Sequence, residues 1–442
     1  MIWLLFFILC FLTQINFRIS DNDLSNPAVV VSAMFSIFSF FCCIANVCIG
    51  IDINSIYTIM TICGGISIFT IVNYVKKCRY RFLCAANHQI YSPALKGIGY
   101  AGIFVTLAAI YVNYKYILDF AAAYGVGGDF FESMVQYKLI MTFHDSDDIL
   151  VPSPHYRGIL FTMASSVAYL SIYLLMRSKF INNTWSVIYG LDIFLYAILS
   201  LMGGGRMETF RIITAMMFTW YIFYSAYHDK RTNTKSILIR LGIIMSIISF
   251  LFVSFVYAVG RSQADMDLEA VIMSMFIYAG APIINLDIYI DNPWSQTHGI
   301  FGELTFIRFI NWLGVKLEDS SLIYELDLPF LSWHNYNLGN VYTTFYAFIY
   351  DFGYIGAVIC TAIMAVICIT IYNYTKRSNV LEGKISFSII LYAYLINDIV
   401  MLAFSHRFYE TFFNVGTLYR MCTVYVLIYI SNRLFLKRSR QH

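Results

Sequence analysis

The sequence predicts an all-α polytopic membrane protein with about 11 transmembrane helices and a large extracytoplasmic loop that caps an outward-facing cavity. Two observations of composition support this class. Hydrophobic residues make up 59% of the 442 residues and charged residues only 12%, whereas soluble domains contain roughly 25% charged residues. The third observation is that most apolar residues occur in runs of about 20, the length needed to cross a bilayer. These features exclude an ordinary soluble enzyme.

The apolar runs cover the whole chain except for one long stretch. The first run lacks the positive n-region and cleavage site of a signal peptide, so we interpret it as a retained helix. The predicted spans are residues 2–17, 28–50, 53–75, 97–118, 157–176, 184–202, 210–227, 237–257, 353–374, 385–404 and 412–431. The sequence therefore predicts one transmembrane domain over residues 1–442, interrupted by a loop at about 258–352.

The distribution of basic residues predicts the orientation. Of the 29 Lys and Arg residues, 19 fall in alternate short loops and in the C-terminal tail, including Lys76, Lys77, Arg177 and Lys179. Because cytoplasmic loops are enriched in Lys and Arg, these segments are predicted to face the cytoplasm. The N-terminus and the long loop are then extracytoplasmic, and the C-terminus is cytoplasmic.

Three helices are predicted in the outer segments. Residues 129–143 have the apolar spacing of a helix that lies in the membrane interface. Residues 269–280 are apolar but too short to span, and Pro282 predicts that this surface or re-entrant helix ends there. Residues 301–316 predict an amphipathic helix with Arg308 on its exposed side. Its predicted buried stripe is Phe306, Phe309, Ile310 and Leu313.

Five arginines are candidates for binding a pyrophosphate. Arg206 ends a GGGR segment, where glycines allow close backbone approach and the guanidinium offers a two-pronged donor. Arg211 would point about 140° away from Arg206 on a helix, so Arg206 is preferred. The alternative is that the glycines only allow close helix packing and Arg206 reaches the lipid headgroups. The five candidates are Arg206, Arg308, Arg407, Arg420 and Arg261.

Arg420 is the candidate that lies inside a predicted span. An ionisable residue there is costly unless it faces a cavity or a partner, so Arg420 is a site hypothesis. A structural ion pair with Asp398 is the alternative.

Three residues of the long loop are candidates for acid–base catalysis. His334 has an imidazole that can remove a proton from a sugar hydroxyl. Asp351 and Glu303 are alternatives for the same role. Each also has a structural interpretation, since a lone loop histidine often only forms hydrogen bonds and either carboxylate can pair with an arginine.

Amide and aromatic side chains follow His334 in the sequence. Amides match sugar hydroxyls and flat rings stack on sugar faces, but aromatic residues also gather at membrane interfaces. The candidate sugar-binding residues are Asn335, Asn340, Tyr342 and Tyr336, with Asn337 beside them.

No cofactor and no metal site are expected. The ten cysteines form no CxxC pair or Cys/His cluster at zinc spacing. DxD patterns occur at residues 145–147 and 265–267, but short acidic loop runs are usually only solvated. Nucleic acid is not an expected partner.

Several segments together resemble the bacterial oligosaccharide repeat-unit polymerases, also called O-antigen polymerases. The resemblance rests mainly on GNVYT at 339–343 and YDFGYIG at 350–356. APIINLD before FGELTF, the GGGR segment and DLSNPAV at the second span add to it.

The resemblance implies a metal-independent glycosyltransferase of the bacterial inner membrane. It would join undecaprenyl-pyrophosphate-linked oligosaccharides at the outer face, where the end hydroxyl of one repeat unit displaces undecaprenyl pyrophosphate from the growing chain. A chain-length regulator is a further partner to consider besides the lipid bilayer. O-antigen ligases need similar groups and are the nearest alternative. A lipid-linked oligosaccharide flippase is the alternative from another class.

Overall fold

The computed structural model describes residues 1–77, 93–143, 151–205, 207–227, 268–325, 328–333, 336–378 and 384–439. Almost all of its regular structure is helical. In chain order the elements are α1 (Ile2–Ile19), α2 (Pro27–Ile49), α3 (Ile56–Val75), α4 (Pro93–Ala123), α5 (Phe130–Phe143), α6 (His155–Asn182), α7 (Val187–Leu201), α8 (Met207–Tyr227), α9 (Leu268–Asp291), α10 (Ile307–Leu317), β1 (Leu331–Trp333), β2 (Tyr336–Gly339), α11 (Thr344–Arg377), α12 (Phe387–Val400), α13 (Phe408–Phe412) and α14 (Val415–Ser439). The predicted helical class is confirmed.

Six of the described helices are apolar and long enough to cross a membrane. They are α1, α2, α3, α4, α6 and α11, and each overlaps a predicted span, although α11 begins at Thr344 and the predicted span at 353. The apolar helix α7 is shorter, as is α12 with the turn that follows it. Helices α8 and α14 occupy the predicted spans 210–227 and 412–431 but are not among these apolar helices. The span predicted at 237–257 lies outside the described residues, so the count of about 11 stays a prediction.

The chain divides into two compact units. Unit 1 consists of residues Met1–Tyr80, Met266–Lys376 and Leu395–Leu418. Unit 2 consists of residues Arg81–Asp265, Arg377–Tyr394 and Tyr419–His442. Each unit therefore combines segments that are distant in the sequence.

In unit 1, α9 packs against α2 and α3. The close approach to α2 occurs at Gly280, where an added Cβ would lie 3.1 Å from the backbone nitrogen of Cys42. Contrary to prediction, α9 does not end at Pro282 but continues to Asp291, with Ile283, Ile284 and Leu286 buried. Proline removes one backbone hydrogen bond, and the packing of this buried face outweighs that loss.

The segment that follows α9 returns to it through a short hairpin. Strands β1 and β2 pair antiparallel, with Trp333 opposite Tyr336. Asn285 of α9 donates from Nδ2 to the carbonyl oxygens of Gly339 and Val341, at 3.3 and 2.8 Å. The amide of Asn285 thus fixes the GNVYT segment onto α9.

Helix α11 is broken near its start, inside the YDFGYIG segment. Gly353 has φ 65° and ψ −172°, a combination that is essentially restricted to glycine. The first part of α11, up to Phe352, therefore runs in a different direction from the part that continues to Arg377.

The amphipathic helix predicted at 301–316 is present as α10, but it begins only at Ile307 and its buried face is shifted. Ile307 and Ile310 are buried, whereas Phe309 is 39% exposed. Arg308 is exposed, as predicted.

In unit 2, α4, α6 and α7 pack around a buried carboxylate. Asp192 of α7 accepts hydrogen bonds from the hydroxyls of Thr106 and Ser171, at 3.2 and 2.7 Å. An added Cβ on Gly102 would lie 3.1 Å from the same carboxylate, so a small residue is needed where α4 passes it.

The predicted helix at 129–143 is present as α5 and packs against α4. Its buried side includes Met134, Tyr137 and Ile140, whereas Phe131 is exposed.

Candidate functional site

Arg157 of unit 2 is held in a defined orientation near the start of α6. Its Nε donates to Oδ1 of Asn113 at 2.8 Å. Its Nη1 donates to Ser153 Oγ and its Nη2 to the Tyr137 hydroxyl, each at 3.1 Å. The carbon Cζ lies 4.0 Å from the centre of the Tyr116 ring, close enough for a cation–π attraction. The guanidinium is therefore oriented before any ligand arrives.

Arg157 keeps donors available in this orientation. A guanidinium has five N–H groups, and the described residues accept from three of those on Arg157. One N–H on Nη1 and one on Nη2 have no acceptor within the described residues. Two such groups match two oxygens of one phosphate.

Arg157 lines a cavity of about 390 Å³, within the range of roughly 300–1,000 Å³ for small-molecule sites. Gly203 and Gly205 of the GGGR segment form part of its wall. Gly204 has φ 67°, so glycine suits the turn that leads from α7 towards α8. The lining residues are Asn113, Ser153, Arg157, Gly158, Phe161, Leu199, Ser200, Gly203, Gly205, Met207 and Glu208.

Glu208 connects this cavity with two buried arginines. Its Oε1 lies 3.1 Å from Nη1 of Arg211 and 3.7 Å from Nη1 of Arg420. Both arginines also donate to the hydroxyl of Tyr394. Their Cζ atoms lie 4.7 and 5.2 Å from the Tyr394 ring centre. One carboxylate and one phenol thus hold two cations that are each only 9% exposed.

Positively charged groups predominate among the described residues of this site. Arg157, Arg211 and Arg420 are grouped there with the carboxylate of Glu208. An anion in the cavity would be attracted by these guanidinium groups. We call the four residues the arginine site.

The predicted arginines are distributed between the two units. Arg420 belongs to the arginine site of unit 2. In unit 1, Arg407 pairs with Glu410 at 2.8 Å and Arg308 is exposed. Arg206 and Arg261 lie outside the described residues. Their predicted pyrophosphate contacts remain predictions.

The structure gives Arg420 a carboxylate neighbour, Glu208, in unit 2. Asp398, the neighbour considered from the sequence, belongs to unit 1, where it accepts from Thr411 at 3.2 Å. Arg211 is part of the arginine site, and the preference for Arg206 as the pyrophosphate ligand stays a prediction. The helical angle between the two residues gave no information about Tyr394, which is distant in the sequence.

Arg157 was not predicted at all. Its sequence signal is weak, because it follows Pro154 at the start of an apolar run and resembles a residue that reaches for headgroups. The hydrogen-bond partners of Arg157 belong to α4, α5 and the 151–154 segment. No local sequence pattern predicts that these segments come together.

In unit 1, Glu303 and Asp351 hold the loop segment 297–305 onto the first part of α11. Glu303 accepts from the backbone N–H groups of Thr297 and His298, each at 3.0 Å, and from the Tyr350 hydroxyl at 2.6 Å. Asp351 accepts from the backbone N–H groups of residues 304 and 305, at 3.2 and 2.6 Å. We call these contacts the carboxylate clasp.

The clasp favours an ionised Glu303. Burial raises the pKa of this carboxyl. The hydrogen bonds from Tyr350 and from the backbone of Thr297 and His298 lower the pKa by more than burial raises it, so the net pKa lies below its usual value. Both carboxylates thus have a positioning role in the structure. Their predicted role as a base stays a prediction, and His334 lies outside the described residues.

An aromatic cluster surrounds the clasp. The rings of Tyr342 and Tyr346 stack at 4.2 Å, and Trp294 Nε1 donates to the Tyr346 hydroxyl at 3.0 Å. The cavity between Trp294, Tyr346, Tyr350 and their neighbours measures about 30 Å³. That volume suits a water molecule rather than a sugar ring.

The predicted sugar-binding residues occupy different environments. Tyr342 is 2% exposed, and its hydroxyl donates to the carbonyl of Pro329 at 2.8 Å. Tyr336 is 41% exposed and Asn340 is half-buried. Asn335 lies outside the described residues. Tyr336 is therefore better placed than Tyr342 to contact a soluble ligand.

His406 is a further buried residue of unit 1 and is not among the predicted site residues. Its Nε2 lies 3.3 Å from the carbonyl oxygen of Thr305, and its Nδ1 lies 2.9 Å from Thr344 Oγ1. Because a carbonyl only accepts, Nε2 carries the proton and Nδ1 accepts from Thr344. The imidazole thus links the loop to the start of α11.

Within the described residues, no group of three His, Cys, Asp or Glu side chains could hold a metal ion. The two DxD patterns lie outside those residues. No known family model, curated protein or solved structure matches this chain.

Proposed function

We propose that the protein is a surface-polysaccharide polymerase, a glycosyltransferase that joins lipid-pyrophosphate-linked oligosaccharide repeat units at the outer face of the bacterial inner membrane. In this proposal the chain crosses the membrane about 11 times, with the N-terminus periplasmic and the C-terminus cytoplasmic. The donor and the acceptor are both undecaprenyl-pyrophosphate-linked oligosaccharides.

The reaction is a substitution at the anomeric carbon of the donor sugar. The oxygen of the acceptor hydroxyl forms the new bond to this carbon, and the bond to the pyrophosphate oxygen breaks. That oxygen keeps the electron pair, and the hydroxyl proton passes to a base. Negative charge therefore grows on the pyrophosphate, where fixed positive groups stabilise the transition state.

The observation that carries the proposal is the arginine site. Arg157 has an oriented pair of N–H groups at a cavity of about 390 Å³. Arg211 and Arg420 add positive charge behind Glu208. Such a site can bind the leaving pyrophosphate and offset its developing charge. An O-antigen ligase would use the same groups, so the acceptor distinguishes these two enzymes.

The test uses purified protein in detergent with the organism's own lipid-linked oligosaccharide and no nucleotide sugar. The products should lengthen in repeat-unit steps, with little effect of a chelator because arginines offset the charge. Arg157→Ala should lower kcat/KM about 100-fold, the size expected when a charge-assisted bidentate contact is lost. Arg157→Lys should recover only part of the rate.

Arg433→Ala is the matched control. Like Arg157, Arg433 lies over a tyrosine ring, with its Cζ 4.8 Å from the ring centre of Tyr429, but it does not line the cavity. It should elongate chains at the wild-type rate. Direct binding of farnesyl pyrophosphate should weaken in Arg157→Ala but not in Arg433→Ala. Wild-type elongation by Arg157→Ala would reject the arginine site. Movement of the lipid-linked sugar between leaflets of proteoliposomes, without elongation, would favour a flippase.

A further inference from the structure

Unit 2 contains a second cavity with basic residues, formed by α4, α6 and α7. It measures about 300 Å³ and is separate in its lining from the arginine site. Lys96 and Arg177 contribute to its wall, and none of its lining residues is acidic. The lining residues are Leu95, Lys96, Leu174, Arg177, Ser178, Ile181, Asn182, Thr184, Trp185, Ser186, Val187, Ile188 and Tyr189.

The polar part of this cavity matches an anion. Arg177 is only 5% exposed although it carries a permanent charge. The first residues of the 15-residue helix α7 also line the cavity, and their backbone N–H groups add positive potential there. Ser186 precedes this helix and makes no side-chain cap hydrogen bond. Arginine, lysine and helix N–H groups together are the usual donors for phosphate.

The apolar part of the cavity continues along one face of α7. Val187 lines the cavity and is 80% exposed. Leu191, Phe194 and Ile198 continue from it at helical spacing and are 43%, 61% and 38% exposed. An exposed apolar stripe on an apolar helix is the surface that an acyl chain covers in a bilayer. The cavity thus joins a phosphate site to a lipid-facing groove.

Trp185, beside this cavity, is a residue type that is typical of the membrane surface. It is 58% exposed, and Nζ of Lys179 lies 5.3 Å from the centre of its ring. Tryptophan is enriched at the boundary between headgroups and acyl chains, and a lysine near a helix end extends its charged group to that boundary. The distribution of basic residues predicts that this boundary is on the cytoplasmic side.

From these features we infer that the cavity binds the phosphate headgroup of an anionic phospholipid, whose acyl chain lies along the exposed face of α7. The ligand chemistry is a phosphate diester with attached apolar chains. The inference concerns a site that the proposed polymerase reaction does not use, so it stands independently of that function.

The test measures lipid binding to the intact purified protein by native mass spectrometry. The probes are dioleoyl phosphatidylglycerol, dioleoyl phosphatidylcholine and inorganic phosphate. Phosphatidylglycerol should bind about tenfold more tightly than phosphatidylcholine. Lys96→Gln should reduce that affinity about fivefold, the effect expected for one basic residue near an anionic surface. Lys96 is exposed, so its replacement should leave the fold intact.

Lys115→Gln is the matched control, because Lys115 is an exposed lysine further along the same helix and outside the cavity lining. It should bind phosphatidylglycerol like the wild type. Equal affinities for the two lipids, or equal losses in the two variants, would overturn the inference. Complete displacement of the lipid by inorganic phosphate would assign the cavity to free phosphate and would also overturn it.

Discussion

His406 is neutral in the folded protein because its imidazole is buried. Burial lowers its pKa from 6.5 to about 4, while Glu410 and the Thr305 carbonyl oppose this shift and Arg407 adds to it. The unfolded chain would bind a proton near pH 6.5, where the fold does not. His406 therefore contributes to stability fully above about pH 6.5, and this contribution decreases as the pH falls towards 4.

We predict that wild-type protein loses about 3 kcal/mol more stability than His406→Gln between pH 7.5 and pH 4. The measurement is the free energy of unfolding in mixed detergent micelles at several pH values. The difference between the two proteins isolates His406 from the other histidines. Parallel curves for wild type and variant would contradict the prediction.

A residue of the candidate site could be predicted from the sequence where its type contrasts with its neighbours along the chain. Arg420 stands out because a charged residue in an apolar run needs a partner, and the structure provides Glu208 and Tyr394. Arg157 has no such local contrast, and its orientation depends on residues up to 44 positions away. The residues that orient Arg157 come together only in the folded chain, so no local sequence motif predicts this site.

At the scale of elements, the break at Gly353 separates two parts of α11. No atom lies within 4 Å of a Cβ added at this position, so a side chain would meet no neighbour. The penalty for a larger residue is then only that of the backbone, because φ 65° with ψ −172° disfavours L side chains.

We predict that Gly353→Ala destabilises the protein by about 1–3 kcal/mol. Gly64→Ala is the control, since Gly64 is also uncrowded but lies within helix α3. This control should be neutral or slightly more stable, because alanine favours helix. Thermal unfolding of both variants in the same detergent checks the comparison. Equal stability of the two variants would show that the break does not need glycine.

The positions of helices were predicted well where hydrophobicity decides them, and their boundaries and faces less well where packing decides. The six long apolar helices overlap predicted spans because crossing a bilayer requires a continuous apolar run. Helix α9 passes through Pro282 because buried side chains on both sides of the proline favour continuation. Likewise, the face that α5 and α10 bury depends on neighbours that the periodicity does not specify.

For the whole molecule, the predicted orientation places the loop at about 258–352 outside the membrane. Asn292 and Asp319 are exposed in this loop, and Lys77 is exposed at the end predicted to face inward. In a variant without the ten native cysteines, Asn292→Cys and Asp319→Cys should react with an impermeant maleimide in intact spheroplasts. Lys77→Cys should react only after lysis. The reverse labelling pattern would invert the topology.

The carboxylate clasp allows side chains of the segment 297–305 to be replaced without loss of the contacts that hold the segment. Glu303 and Asp351 hold the segment 297–305 largely through its backbone N–H groups, which every residue except proline provides. Selection can therefore exchange an exposed side chain such as that of His298 without releasing the segment. Random replacement at position 298 should yield folded variants with nearly all residues but proline. The exposed surface of the loop can then change while the path of its backbone stays the same.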